Sequence, residues 1–200
     1  MTLLVATTNP GKLREIGDIL EGIPFDLVTL QEYPHIPQPE ETGQTFGENA
    51  RLKALYYAHH TGLPSVADDS GLEIAALDGA PGVHSARWHG SDYAHKFRMI
   101  HELLAARGLT GSPARFVCHV ALAVDGRIEY ETEQEVCGEI APAPRGTHGF
   151  GYDPIFYHPP VGRTLAEIEP HEKATISHRG KAFGALRAHL RAHPSGLGSS

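Results

Sequence analysis

The stretch Val66-Ala67-Asp68-Asp69-Ser70-Gly71-Leu72-Glu73 decides how this chain is expected to fold. It follows Pro64 and opens with small apolar residues that suit the end of a buried strand. Two adjacent carboxylates, a hydroxyl and a glycine come next, at the point where that strand is expected to stop. Because successive side chains of a strand point to opposite faces, a straight continuation would separate Asp68 from Asp69. We expect the chain to bend at Gly71 instead.

Burying two neighbouring carboxylates is costly, because each raises the pKa of the other unless a cation or hydrogen-bond donors compensate. The pair therefore favours a metal ion. Mg²⁺ is usually held by one or two carboxylates, and water and substrate phosphates supply its other oxygens. The alternative is a turn after the strand, in which the side chains of Asp68, Asp69 and Ser70 bond to the local backbone. Taken alone, the pattern is more typical of the turn.

The composition is that of an ordinary globular domain with a substantial core. The 200 residues are 40% apolar and 20% charged, and we expect a single domain over residues 1–193 with a flexible tail over 194–200. A net charge of −7 argues against a nonspecific nucleic-acid binder and against a membrane-surface protein. Two cysteines cannot form a disulfide framework, and no segment has the pattern of a signal peptide or a membrane span. We expect a cytoplasmic location.

The N-terminal segment has the pattern of a strand, a polar loop and a helix. Leu3 to Ala6 predicts a buried strand, and apolar residues at 13, 16, 19 and 20 predict one face of a helix. The loop between them, Thr7-Thr8-Asn9-Pro10-Gly11-Lys12, leads into the positive end of the helix dipole, where anions bind readily. It does not match a Walker A loop. The alternative is an Asn-Pro-Gly turn with a solvated lysine.

Local patterns predict two further helices and a hairpin. The capping box from Thr45 to Glu48 predicts a helix to about His59, with three residues buried: Leu52, Leu55 and Tyr56. Ser91 is predicted to cap a helix that runs to about Arg107 and turns four residues inward: Phe97, Ile100, Leu103 and Leu104. Asp125-Gly126 predicts a two-residue turn between strands at 116–124 and 128–136.

The last third of the chain is rich in glycine and ends in a helix. Three glycines surround Phe150 and Tyr152 between 146 and 154, and such a loop lets backbone approach a ligand closely. Phe150 could stack on a flat ring, although an aromatic residue in such a loop is as often a plug over the core. His178 and Arg179 open the final helix, where the dipole disfavours cations, and a local cost of that kind often marks function.

Six groups of residues follow one another in the order typical of one enzyme family and span nearly the whole chain. They are Ala6 to Lys12; Glu40 to Gly43 with Glu48 to Ala50 and Lys53-Ala54; Ala67 to Leu72; Pro81 to Val83 with Ser85 to Arg87; Phe150 to Phe156; and Lys173 with Ser177 to Gly180. With these motifs the chain resembles the inosine triphosphate pyrophosphatase family, which removes purine nucleoside triphosphates such as ITP, dITP and XTP. Thr8 and His84 depart from the common pattern, and we expect them to affect affinity more than activity.

The resemblance implies an α/β fold, elongated, with a central mixed β-sheet flanked by helices, two lobes around a nucleotide cleft, and usually a homodimer. It implies hydrolysis to a nucleoside monophosphate and pyrophosphate, which cleanses the nucleotide pool. Asp69 would be the general base, and Glu41 and Asp69 would organise Mg²⁺ with Asp68 nearby. Residues implied to bind substrate are Thr7, Thr8, Asn9, Pro10, Gly11, Lys12, Lys53, Ser70, Phe150, Gly151, Tyr152, Asp153, Lys173, His178 and Arg179.

Within that set, the resemblance assigns four residues to the phosphates, namely Thr7, Asn9, Lys12 and Lys53, and it assigns Phe150 to stacking on the base. Hypoxanthine and xanthine carry an acceptor oxygen at C6 where adenine carries a donor amine, so donors from Lys173, His178 or Arg179 would select against ATP. Two rival interpretations stay open. One is the similarly folded Maf group, which acts on pyrimidine or modified nucleotides, and the other is a nucleotide-binding regulator without catalysis. A histidine metal site is disfavoured, because no His-Glu-x-x-His motif is present.

Overall fold

The computed structural model describes residues 1–193, so the expected tail at 194–200 lies outside the described residues. Within them the strands are β1 Thr2–Val5, β2 Asp26–Thr29, β3 Ser65–Ile74, β4 Pro113–Val124, β5 Arg127–Ile140, β6 Phe156–His158 and β7 Arg163–Thr164. The α-helices are α1 Pro10–Leu20, α2 Phe46–Thr61, α3 Tyr93–Ala106, α4 Pro170–Ile176 and α5 His178–Ala192. None of the helices described is long and apolar enough to cross a membrane.

The strands form one mixed sheet in the order β2-β1-β3-β4-β5-β6-β7. Strand β1 pairs in parallel with β2 and with β3, whereas β6 pairs antiparallel with β5 and with β7. This confirms the expected central mixed sheet flanked by helices. The predicted hairpin is present as well: Asp125 (φ 49°) and Gly126 (φ 77°) join β4 to β5 with the positive φ angles that a tight two-residue turn favours.

Strand β3 runs without a break through both carboxylates, and the expected bend at Gly71 is therefore wrong. The strand lies between β1 and β4, so pairing on both sides keeps it extended. The alternative of a local turn at Asp68 to Ser70 is wrong for the same reason. Since the strand is continuous there, Asp68 and Asp69 point to opposite faces of the sheet.

The first of two compact units contains residues 1–69, 118–134 and 179–193. Its core packs α2 on the sheet mainly through alanines of both, together with Leu4 and Tyr57. The alanines are Ala6, Ala50, Ala54, Ala58, Ala67, Ala121 and Ala123. Helix α2 begins after its Thr45 cap as predicted, but the prediction of its buried residues is only partly confirmed. Leu52, Leu55 and Tyr56 are partly buried, and Leu55 and Tyr56 pack against this core, whereas the fully buried residues of the helix are small ones such as Ala50 and Ala54, which allow close contact with the alanines of the sheet.

The second unit contains residues 70–117 and 135–178. Helix α3 packs Ile100 and Leu104 into its core as predicted, whereas Leu103 is 37% exposed and the prediction for that residue is wrong. The fully buried residue one turn before Ile100 is Lys96, which a search for apolar periodicity cannot find. The helix is capped by Asp92 rather than Ser91, and the short helix α4 was not predicted. That both units form one domain stays a prediction.

Candidate active site

A loop from Ala6 to Asn9 connects β1 to α1, so the predicted loop is present, but Pro10 to Lys12 already belong to the helix. The Asn9 side chain caps the helix and accepts hydrogen bonds from the backbone N–H groups of Gly11 (2.9 Å) and Lys12 (3.2 Å). Pro10 occupies the first turn, where its missing N–H costs nothing. The Lys12 side chain is only 15% exposed, so the alternative of a solvated lysine after a simple turn is wrong.

Asp68 faces a group of cations on one side of the sheet. Its Oδ2 accepts from Lys12 Nζ at 2.7 Å and lies 3.7 Å from Arg179 Nε, and the side chain is fully buried. Arg179 in turn donates to Glu15 Oε2 at 2.7 Å. Burial alone would raise the pKa of Asp68, but Lys12, Arg179 and Lys53 outweigh it and hold that pKa well below its ordinary range. Asp68 is therefore ionised and firmly paired.

Asp69, on the other face, contacts helix α2. Its Oδ1 accepts from Lys53 Nζ at 3.2 Å and its Oδ2 from Asn49 Nδ2 at 3.2 Å. Lys53 Nζ also donates to Glu41 Oε1 at 2.6 Å. Burial raises the pKa of Asp69, against the opposing effect of the nearby lysines. The two adjacent carboxylates thus differ in partners and in proton affinity.

Three residues in these contacts were not among the predicted site residues. Asn49 is fully buried and, besides Asp69, its Oδ1 accepts from the Gly43 N–H at 2.8 Å. Asn49 lies four residues before Lys53, so both occupy one face of α2, and that spacing could have identified it. Glu15 holds Arg179, and Cys118 Sγ lies 3.8 Å from Asp68 Oδ2. No local pattern in the sequence indicated either contact.

The residues expected to hold Mg²⁺ divide between the two faces. Glu41 and Asp69 converge on Lys53, whereas Asp68 contacts Lys12 and Arg179. Among residues 1–193, no group of three or more His, Cys, Asp or Glu side chains has the arrangement of a metal site. Two carboxylates gathered around one cation fit Mg²⁺ nevertheless, because this ion is commonly held by one or two carboxylates and completes its coordination with water and substrate phosphates.

In the second unit, Asp153 organises the glycine-rich loop. Its Oδ2 accepts from Lys173 Nζ at 2.6 Å and from the Phe150 N–H at 2.8 Å, and the side chains of Asp153 and Lys173 are each 4% exposed. A side chain at Gly149 (φ +72°) would collide with the Asp153 carboxylate, so only glycine fits there. Lys173 Nζ lies 5.2 Å from the centroid of the half-buried Phe150 ring.

The remaining predicted residues are placed as follows. His178 is buried and stacks on Phe116, with ring centroids 4.6 Å apart and planes 11° from parallel. Tyr152 is buried and donates from its hydroxyl to the Ser85 carbonyl at 2.9 Å. Ser70 and Gly151 are partly buried, and Thr8, Asn9 and Pro10 are exposed. The structure thus joins six of the predicted residues into three sets of contacts around Asp68, Asp69 and Asp153, namely Lys12, Arg179, Lys53, Glu41, Phe150 and Lys173.

Comparison with known proteins gives a consistent result. The family model described as the Ham1 family matches residues 3–189. The dITP/XTP pyrophosphatase of Geobacter sulfurreducens is 48% identical over 191 residues, which cover 94% of this chain and 96% of that protein. That of Thermus thermophilus is 49% identical over 200 residues, covering 98% and 93%. The solved HAM1 protein of Coxiella burnetii superposes with a TM-score of 0.87 at 42% identity, covering 96% and 99%.

Proposed function

Because the chain belongs to the Ham1 family, we propose that it hydrolyses dITP, XTP and ITP to the nucleoside monophosphate and pyrophosphate. The curated relatives are named dITP/XTP pyrophosphatases, which agrees with the resemblance drawn from the six motifs. This activity keeps non-standard purines out of DNA and RNA. The observation that carries the proposal is the pairing of two lysines with three carboxylates: Lys12 pairs with Asp68, and Lys53 pairs with Glu41 and Asp69.

The lysines suit the phosphates of the substrate. Lys12 lies in the first turn of α1, where the helix dipole adds to its positive charge, and Lys53 lies on α2. Both ammonium groups are already held in place by carboxylates, at 2.7 Å for Lys12 and 2.6 Å for Lys53. Phosphoryl transfer depends on positioning and on neutralising charge, and cations held in place supply both.

Of the two aspartates, Asp69 is the one we assign as the general base. Its contacts are to an amide and to a shared lysine, whereas Asp68 is tied to Lys12 and lies close to Arg179. A carboxylate held that tightly by cations is a poor proton acceptor. Burial raises the pKa of Asp69, which improves a carboxylate as a base near neutral pH. Asp68 instead anchors Lys12 and Arg179.

We assign Mg²⁺ to Glu41 and Asp69, the carboxylates that share Lys53. When bound, the ion would neutralise charge on the phosphates and assist ionisation of the attacking water. Lys53 would keep the two carboxylates together, and Asn49 would hold the Asp69 side chain in one orientation.

The base is assigned to the glycine-rich loop of the second unit. Phe150 offers a flat ring, and its backbone N–H is held by Asp153. Lys173 donates to the same carboxylate and can present a cationic donor to the C6 oxygen of hypoxanthine or xanthine. Adenine carries an amine at that position, and a site built around such a hydrogen bond can reject the wrong ligand by roughly 10⁴ or more.

The test is to incubate the purified protein and Mg²⁺ separately with ITP, XTP, dITP, ATP, GTP and UTP, and to identify the products. The proposal expects inosine or xanthosine monophosphate plus pyrophosphate, with ATP and GTP nearly untouched. Faster cleavage of UTP would favour the Maf-like interpretation. Orthophosphate with a diphosphate would mean that the water attacks elsewhere, and no turnover would favour a regulator. We also propose a homodimer, which light scattering during size-exclusion chromatography would test.

A further inference from the structure

A fully buried lysine lies in the second unit, outside every set of residues assigned so far. Lys96 on α3 has 0% exposure, and its Nζ donates to the backbone carbonyls of Ser85 (3.0 Å) and Ala86 (2.7 Å). The ammonium also lies 4.3 Å from the ring centroid of Tyr93 and 5.7 Å from that of Tyr152. No carboxylate of the described residues pairs with it, so two carbonyl dipoles and two ring faces compensate the charge.

Such an arrangement is costly, since burying a cation without a counterion carries a large desolvation penalty. Burial accordingly lowers the pKa of Lys96. An apolar side chain at the same position would fill the space between Ile100 and the aromatic rings without that cost. The contacts of Lys96 therefore point to a role beyond filling the core.

The carbonyl of Ser85 joins Lys96 to the glycine-rich loop. It accepts a second hydrogen bond, at 2.9 Å, from the hydroxyl of Tyr152, which is buried. Tyr152 directly precedes Asp153, whose carboxylate accepts from the Phe150 N–H and from Lys173. Lys96 and Tyr152 thus donate to the same carbonyl oxygen, which links α3 to the glycine-rich loop.

Ser85 is itself fixed by its side chain. Its Oγ accepts from the Leu72 N–H at 2.9 Å and donates to the Gly82 carbonyl at 2.6 Å. Because Leu72 belongs to β3, the Ser85 carbonyl is anchored to the sheet rather than to a free loop. Because Tyr152 donates to this carbonyl and Lys96 holds it, Tyr152 is positioned relative to the sheet.

We propose that Lys96 is a positioning residue for purine recognition: through the Ser85 carbonyl and Tyr152, it places Phe150 and Asp153 for the base. The inference rests on the proposed function, because it takes this loop as the site of the base. Loss of Lys96 should weaken the binding of a nucleotide, which contains a base. It should not change the binding of a phosphate chain without a base.

The test compares the wild type with Lys96→Met and Tyr152→Phe, using steady-state kinetics with dITP and competitive inhibition by inorganic tripolyphosphate, which has no base. We expect Lys96→Met to raise KM for dITP by about tenfold or more, since a hydrogen bond from a charged donor is lost. Tyr152→Phe should raise it by about threefold. The inhibition constant of tripolyphosphate should change by less than about twofold in both variants, because the phosphates bind elsewhere.

The matched control is Ile100→Val, which opens a small cavity at another fully buried position of the same helix. It should lower the melting temperature and leave both KM and the inhibition constant unchanged. An unchanged KM in Lys96→Met, or a parallel weakening of dITP and tripolyphosphate, would overturn the positioning role. Should Lys96→Met fail to fold, Tyr152→Phe decides, and an unchanged KM in that variant would overturn it as well. A wild type that neither binds nor cleaves dITP would instead overturn the proposed function itself.

Discussion

Asp68→Asn is expected to destabilise the protein severely, because it removes the central charge of a buried network. The Asp68 side chain has no exposed surface, Lys12 Nζ lies at 2.7 Å and Arg179 Nε at 3.7 Å. Breaking a buried ion pair by neutralising one partner costs about 3–5 kcal/mol, since the other charge stays buried. Lys12 is 15% exposed and can partly regain water, so we expect the lower end, about 3 kcal/mol.

The assay is urea unfolding of both proteins, followed by circular dichroism at several pH values. The free energy of unfolding should be lower by about 3 kcal/mol in the variant. In a thermal melt, the same loss would lower the melting temperature by about 6–12 °C in a chain of this size. The folded-state pKa of Asp68 lies below the unfolded value, so its stabilisation is complete well above about pH 4 and declines as the pH falls. The difference between wild type and variant should therefore shrink in acid.

Asp78→Asn is the matched control. Asp78 also pairs with an arginine, since its Oδ2 lies 3.3 Å from Arg107 Nη2, but its side chain is 88% exposed. The same substitution at an exposed pair should cost less than about 1 kcal/mol. The reasoning would be refuted if Asp68→Asn cost no more than this control, or if its deficit stayed constant down to about pH 2.

Three further predictions concern the site and the thiols. Asp69→Asn should reduce turnover by about 10³-fold or more while nucleotide affinity, measured by calorimetry, persists; a variant with a tenth of the wild-type rate would rule out Asp69 as the base. Chelation of divalent ions by EDTA should abolish turnover and excess Mg²⁺ should restore it, whereas full activity in EDTA would contradict the assignment to Glu41 and Asp69. Cys137 is exposed and Cys118 is buried, with its pKa raised by burial, so a thiol reagent at about pH 8 should label one thiol in the native chain and two in urea; rapid labelling of both native thiols would contradict the buried position.

Patterns that depend on a few neighbouring residues predicted the structure well. The Asp125-Gly126 turn, the Thr45 cap and the strand, loop and helix around Asn9 are all present. Each is stabilised by contacts within about four residues, and such contacts can be read from a short window. The resemblance to a nucleotide pyrophosphatase family was also correct, because it rested on six ordered motifs rather than on one.

Features that depend on distant partners were missed. A glycine in β3 looked like a bend, but pairing with strands on both sides overrides that local preference. The alanines of α2 that are fully buried could not be predicted, since the alanines of the sheet that they contact are far away in sequence. Lys96 breaks the apolar pattern of α3, and its backbone acceptors lie ten and eleven residues earlier. Nothing in the pattern around it indicates a buried cation.

The unbroken course of β3 through both carboxylates has a consequence for insertions and deletions. Its register is set by parallel pairing with β1, in which Leu4 lies opposite Ser65 and Val5 opposite Val66. A shift of one residue turns every side chain of a strand to the other face. A single deletion just before Asp68 would thus present each carboxylate to the wrong lysine, even though both aspartates would still be encoded. Apart from the two aspartates, this part of the gene should therefore accept substitutions far more readily than changes in length.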